Sequence, residues 1–221
     1  RTVYMYTGSL YFAKYVLGNE AVYSILTILV VPGGAIATVL IPWFTKHFGK
    51  KNTYIYVHVL GAVVMFAMYF IGRNGGYNNS SNLLWLAIGF VLLGLPQGIN
   101  NVITYAMIGD TVEYLEWKTG ERAEGICFSM QTFINKISMA VGAFIGVMAY
   151  GISGISPSDP YNTVTPEGSE KLWAVLILSG AISMVATIIP MLFYKVTESK
   201  QREYVKEIEE RKAAKAAKTA E

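Results

Sequence analysis

The sequence predicts an all-α transmembrane fold, a six-helix bundle, and two observations carry that prediction. Of the 221 residues, 53% are hydrophobic and only 15% are charged, whereas a soluble domain carries about 25% charge. The apolar residues gather into six runs long enough to cross a bilayer. Their period is helical rather than alternating, which argues against a membrane barrel.

The runs fall at 2–17, 22–44, 53–72, 83–108, 125–150 and 172–194. Such lengths suit helices crossing about 30 Å of hydrocarbon with some tilt. The first run, Thr2 to Leu17, is short for a span, and the chain starts at Arg1 without methionine or a signal peptide. It is expected to open partway along a helix, as a fragment of something larger. This run is rich in tyrosine (Tyr4, Tyr6, Tyr11, Tyr15), with Lys14 near its outer end. Those rings suit either stacking on sugar rings or an interfacial aromatic belt. In the second run, Pro32-Gly33-Gly34 marks either a bending point or a close packing site.

The fourth run carries Gly94-Leu95-Pro96-Gln97-Gly98 at mid-span, which loosens the backbone ladder and favours a kink. Gln97, Asn101 and Thr104 follow at spacings of four and three and share one helix face, with Tyr105 beside it. A polar face on an apolar span should point at a cavity or at another polar helix.

The fifth run contains a single formal charge, Lys136. It lies about eleven residues in, roughly 17 Å deep at ~1.5 Å per residue. A lone ammonium there costs at least ~3 kcal/mol, so it is expected to face a polar interior or an ionic partner. Gln131, Thr132 and Asn135 lie within one turn of it. Gly142 and Gly146 form a small-residue pair that lets a neighbouring helix approach. No run has an Asp or Glu near its middle, so an acidic partner for Lys136 is expected outside this chain.

The connections alternate in charge. Residues 45–52 carry Lys46, Lys50 and Lys51, residues 110–124 carry Lys118 and Arg122 among acids, and the segment after Tyr194 is densely basic and acidic. The opposite connections contribute only Arg73 and Lys171. This bias places the Lys46 loop and the charged tail, 195–221, in the cytoplasm. The tail reads as a solvated helix, or one touching anionic headgroups.

Other chemistries find little support. One cysteine, Cys127, excludes an internal disulfide framework, and it joins only two isolated histidines, His47 and His58, so no metal site is expected. No nucleophile and base, and no carboxylate pair, falls at a useful spacing for an enzyme. No nucleic-acid partner and no cofactor are expected.

The segment Ala106 to Gly125, with Asp110, Glu113, Trp117, Lys118, Gly120, Glu121 and Arg122, closely resembles the loop between the tenth and eleventh helices of the glycoside-pentoside-hexuronide:cation symporters, the melibiose permease-like family. The resemblance continues from Phe128 through Gln131 and Asn135 to Lys136. It is visible again from Tyr11 to Asn19 and at Phe48-Gly49-Lys50-Lys51. It implies that the six spans are the carboxy-terminal half of a twelve-helix major facilitator fold, working with a missing amino-terminal six-helix half. It further implies a bacterial, multi-pass protein of the cytoplasmic membrane carrying a sugar or glycoside by alternating access, in symport with Na⁺, Li⁺ or H⁺ whose ligands lie mostly outside this chain.

By position, the resemblance places Asn101, Gln131, Thr132 and Lys136 at the substrate, Lys136 also at cation coupling, and Asp110 with Arg122 at a cytoplasmic gate. Asn101 stands where the melibiose permease has an aromatic residue. A transport-inactive half or a membrane scaffold is the rival expectation.

Overall fold

The structure is a computed structural model that describes residues 12–17, 19, 21–74, 76–154 and 164–219. Tyr4, Tyr6 and Tyr11 of the expected first span lie outside the described residues, as does the side chain of Tyr15. Among the described residues, five α-helices and a short 3-10 turn (Gly76–Asn78) follow a π-turn at Phe12–Val16: α1 (Ala21–Gly72), α2 (Ser80–Thr119), α3 (Glu124–Ile152), α4 (Pro166–Phe193) and α5 (Glu198–Thr219). Among the described residues there is no strand. The first four helices are long and apolar enough to cross a membrane.

At 52 residues, α1 is too long to be one span. Gly49 breaks it, with φ 77° and ψ 160°, in the left-handed half of backbone space that glycine enters without penalty. The contacts on either side show a hairpin. Before the break, Gly33 meets Val91 and Gly94, and Ala37 meets Gly98, so that arm runs parallel to α2. After it, Tyr54 bonds Asn100, Gly61 meets Pro96, and Gly89 meets Met68, so the second arm runs antiparallel to α2. Helix α4 pairs antiparallel with the same second arm, through Gly72 on Trp173, Met65 on Gly180 and Gly61 on Met184.

Helix ends are set by local chemistry. The Asn79 side chain accepts from the Ser81 amide to start α2, and Gly120, with φ 79°, closes it by donating to the Glu116 carbonyl. Thr165 caps α4 ahead of Pro166 in its first turn. The second helix continues eleven residues past the expected span edge at Ile108, so Asp110 to Thr119 is helix rather than loop.

The mid-span glycines act by packing. A Cβ on Gly33 would lie 1.9 Å from the Val91 carbonyl oxygen, and one on Gly94 would lie 2.2 Å from that of Val30. Helix α2 runs uninterrupted through Pro96, and the first arm of α1 meets it at backbone contact on either side, at Gly94 and Gly98. Two apolar clusters flank this crossing. One joins Met65, Met68, Phe90, Trp173 and Ile177, and the other joins Ile41, Tyr54, Val57, Ile99 and Ile103. Helix α3 stands apart, burying only Gly142, Gly146, Ala149 and Tyr150.

Candidate functional site

Three polar regions interrupt the apolar bundle. The first is a cleft of about 260 Å³ between the first arm of α1 and α2. Gln97 and Asn101, one turn apart on α2, face Thr27, Gly34 and Thr38 across it. Neither amide has a hydrogen-bond partner among the described residues, and Asn101 is exposed. Thr104 is half-buried and Tyr105 is exposed, completing the polar face read from spacing.

The second region is the amino-terminal half of α3. Gln131 is half-buried, whereas Thr132, Asn135 and Lys136 are exposed. The Thr132 hydroxyl donates to the Phe128 carbonyl at 3.0 Å, back onto its own helix. Lys136 has no ion-pair or hydrogen-bond partner among the described residues. The cleft takes in Asn101 but not Gln131, Thr132 or Lys136. The four expected substrate residues therefore occupy two separate faces, since the lower part of α3 does not pack against the bundle.

The third region is a charged platform at one end. The Lys50 ammonium donates to both Asp110 oxygens at 2.6 and 2.7 Å, and the Asp110 side chain is only 7% exposed. Arg122 donates to Glu116 and Glu124, each at 3.1 Å. Both expected gate residues thus have their partners inside this chain. Lys51 donates to the carbonyls of Leu192 and Tyr194, satisfying the end of α4.

Helix α5 docks on this platform rather than standing in solvent. Its Lys212 reaches Glu116 at 2.7 Å, and Gln201 donates to Glu113 at 2.6 Å. The Trp117 indole N–H donates to Glu207 at 2.7 Å, and the Trp117 ring lies 4.6 Å from that of Tyr204. Arg211 donates to the Trp117 carbonyl. The Lys212 ammonium, with Arg122 beside it, holds the Glu116 carboxyl below the usual carboxylate range, while burial pushes the other way.

Glu116 and Trp117 escaped sequence reasoning. Their signal is an acid and an aromatic in the run Glu113-Tyr114-Leu115-Glu116-Trp117, which becomes a docking surface only where α5 covers it. Among the described residues no group of three His, Cys, Asp or Glu could hold a metal. A further cavity of about 430 Å³, lined by Phe12, Leu26, Tyr77, Phe90 and Trp173, is almost wholly apolar and has only Asn19 and Asn78 as amides.

Comparison with known proteins places the geometry in a family context. A family model described as MFS/sugar transport protein matches residues 1–198. The chain is 27% identical over 206 residues to a glucuronide carrier protein homolog of Escherichia coli (strain K12), covering 93% of this chain and 43% of the relative. It is 29% identical over 210 residues to the raffinose carrier protein of Pediococcus pentosaceus, covering 91% and 31%. It is 27% identical over 190 residues to the isoprimeverose transporter of Lactiplantibacillus pentosus, covering 85% and 37%. The chain spans less than half the length of these curated relatives. No solved structure matches it significantly.

Proposed function

The chain belongs to the MFS/sugar transport protein family, and from that premise we propose that the whole protein carries a sugar or glycoside across a bacterial cytoplasmic membrane by cation symport. The observation that carries this reading is a pair of polar faces on membrane-length helices whose amides and ammonium have no partner among the described residues. Gln97 and Asn101 stand on α2, and Gln131, Thr132 and Lys136 on α3. Unpaired amides and an ammonium are costly in hydrocarbon, so these faces border a water-accessible path.

In this reading Asn101, Gln131, Thr132 and Lys136 contact the substrate, supplying the directional donors and acceptors that sugar hydroxyls require. An amino-terminal six-helix half closes the other side and holds the coupling Na⁺, Li⁺ or H⁺. Lys136 couples the two events. It pairs with carboxylates of that half when the cation is absent, and turns to the sugar when the cation neutralises them. Alternating access then shifts between two states of similar free energy.

Asp110 and Arg122 form the cytoplasmic gate, with the tail on the same side. Their partners Lys50 and Glu116 are the groups that a cross-bundle contact exchanges with.

Uptake of labelled glycosides into vesicles carrying the full-length protein tests the reading, with and without an imposed Na⁺ or H⁺ gradient. Gradient-driven accumulation that vanishes in Lys136→Ala is expected. Uptake that only equilibrates in the wild type, or normal accumulation in the variant, would overturn the coupling role.

A further inference from the structure

We propose that the cleft between the first arm of α1 and α2 is a substrate subsite for uncharged hydroxyl groups. In it Gln97 and Thr38, neither of them among the expected substrate residues, set specificity alongside Asn101. This deepens the sugar-transport reading and rests on it.

The cleft is built by periodicity. Thr27, Gly34 and Thr38 lie at spacings of seven and four, one face of α1. Gln97 and Asn101 lie at a spacing of four on the facing side of α2. The walls are set at backbone distance by glycine, since a Cβ on Gly98 would meet the Gly34 carbonyl oxygen at 2.5 Å. The side chains above this floor are therefore held by a rigid crossing, which lowers the ordering cost of binding.

The hydrogen-bonding capacity left over matches a polyol. Thr38 donates its hydroxyl proton to the Gly34 carbonyl at 2.9 Å, and Thr27 donates to the Tyr23 carbonyl at 2.9 Å. Each threonine oxygen thereby presents only lone pairs to the cleft and acts as an acceptor. The Gln97 and Asn101 amides each bring two N–H donors and one carbonyl acceptor, all without protein partners among the described residues. A sugar hydroxyl gives one proton and receives others, so it can donate to Thr38 and accept from Gln97 together.

Lipid is a poor occupant, because two unpartnered amides facing acyl chains cost several kcal/mol. No lining residue is ionisable, so the cleft offers no counter-charge to a carboxylate or sulfonate. Val30 and Val31 supply apolar wall for the C–H face of a ring. At about 260 Å³ the cleft falls just below the ~300 Å³ lower end of ligand pockets, which fits one ring of a larger glycoside.

The experiment measures uptake kinetics in vesicles with the full-length protein, normalised to the amount inserted. The probes are raffinose, isoprimeverose and a methyl glucuronide, then monodeoxy analogues of whichever is carried. Thr38→Val and Gln97→Leu are expected to raise KM roughly three- to tenfold, with Vmax within about twofold, as loss of one hydrogen bond predicts. Thr38→Ser, which keeps the hydroxyl, should keep the wild-type KM. One monodeoxy analogue should be a weaker substrate for the wild type and no weaker for Gln97→Leu. Gly34→Ala, whose new methyl sits 3.6 Å from the Gly94 oxygen and so fits the helix crossing, should raise KM by narrowing the cleft.

Unchanged KM in every variant, with an active wild type, would overturn the subsite and leave the transport reading standing. So would a fall in Vmax alone, which is the mark of a structural role. A wild type that carries none of the sugars would overturn both.

Discussion

Glu116 shows how much one side chain can hold. Its carboxylate receives Lys212 of the tail helix and Arg122 of the following turn, and its side chain is only 7% exposed. The two cations, Lys212 first, lower its pKa below the ordinary 4.5. The sign follows from linkage. A depressed carboxylate contributes stability that is fully present above its unfolded value and is lost as pH falls through its folded value. Tail docking should therefore persist down to about pH 4.5 and loosen below it. A nitroxide label on Ala214, on the exposed end of α5, reads this out as mobility. Glu116→Gln should raise mobility at neutral pH and remove the acid-side step. A step of the same size in that variant would assign the transition to another acid.

Asp110 gives a second residue-scale case. Removing one partner of a buried ion pair leaves a stranded charge, about 3–5 kcal/mol when both are buried. The cost is smaller here because Lys50 is 22% exposed. Lys50→Met should destabilise the protein more than the double variant with Asp110→Asn. Chemical unfolding in detergent checks it, and additive losses would mean the pair contributes no coupling.

At the scale of the element, glycine decides which helices touch. Gly33 and Gly94 face each other across the α1–α2 crossing with no room for a methyl group. Gly33→Ala should cost about 1–3 kcal/mol through overpacking, seen as a lower melting temperature in detergent. Gly34→Ala, one residue along, should leave stability unchanged because its Cβ meets only an ordinary contact at 3.6 Å. Equal losses at the two positions would place the crossing elsewhere.

Much of the element plan was legible in the sequence. Apolar run lengths mark α1 to α4, and the Gly49 break falls inside the Lys-rich connection that separates two runs. The role of Pro32-Gly33-Gly34 and Gly94 to Gly98 was not legible, since a bend and a close contact share the same residue types. Only the partner helix, sixty residues away, distinguishes them. The acids between Asp110 and Glu124 posed the same difficulty. Which of them is covered depends on where α5 lands, a long-range fact carried by Trp117, Tyr204 and Lys212 together.

For the molecule as a whole, the uneven placement of α3 is the informative feature. Three helices share a glycine-lined core, while α3 touches it only through its last turns and leaves Ile134, Lys136, Met139 and Phe144 exposed. Such a helix needs two different surroundings, because its faces differ in chemistry. Lys136 and Met139 lie one turn apart on one face, and Ile134 lies on the opposite one. If the Lys136 face borders the substrate path, a small aqueous thiol reagent should label Met139→Cys in the full-length protein with Cys127 replaced by serine. A transported glycoside should slow that labelling, since it fills the same path. Ile134→Cys, turned towards lipid or packed helix, should react little and without sugar dependence. Equal reactivity at both positions, with or without sugar, would remove the privileged aqueous face and with it the place assigned to Lys136 in coupling.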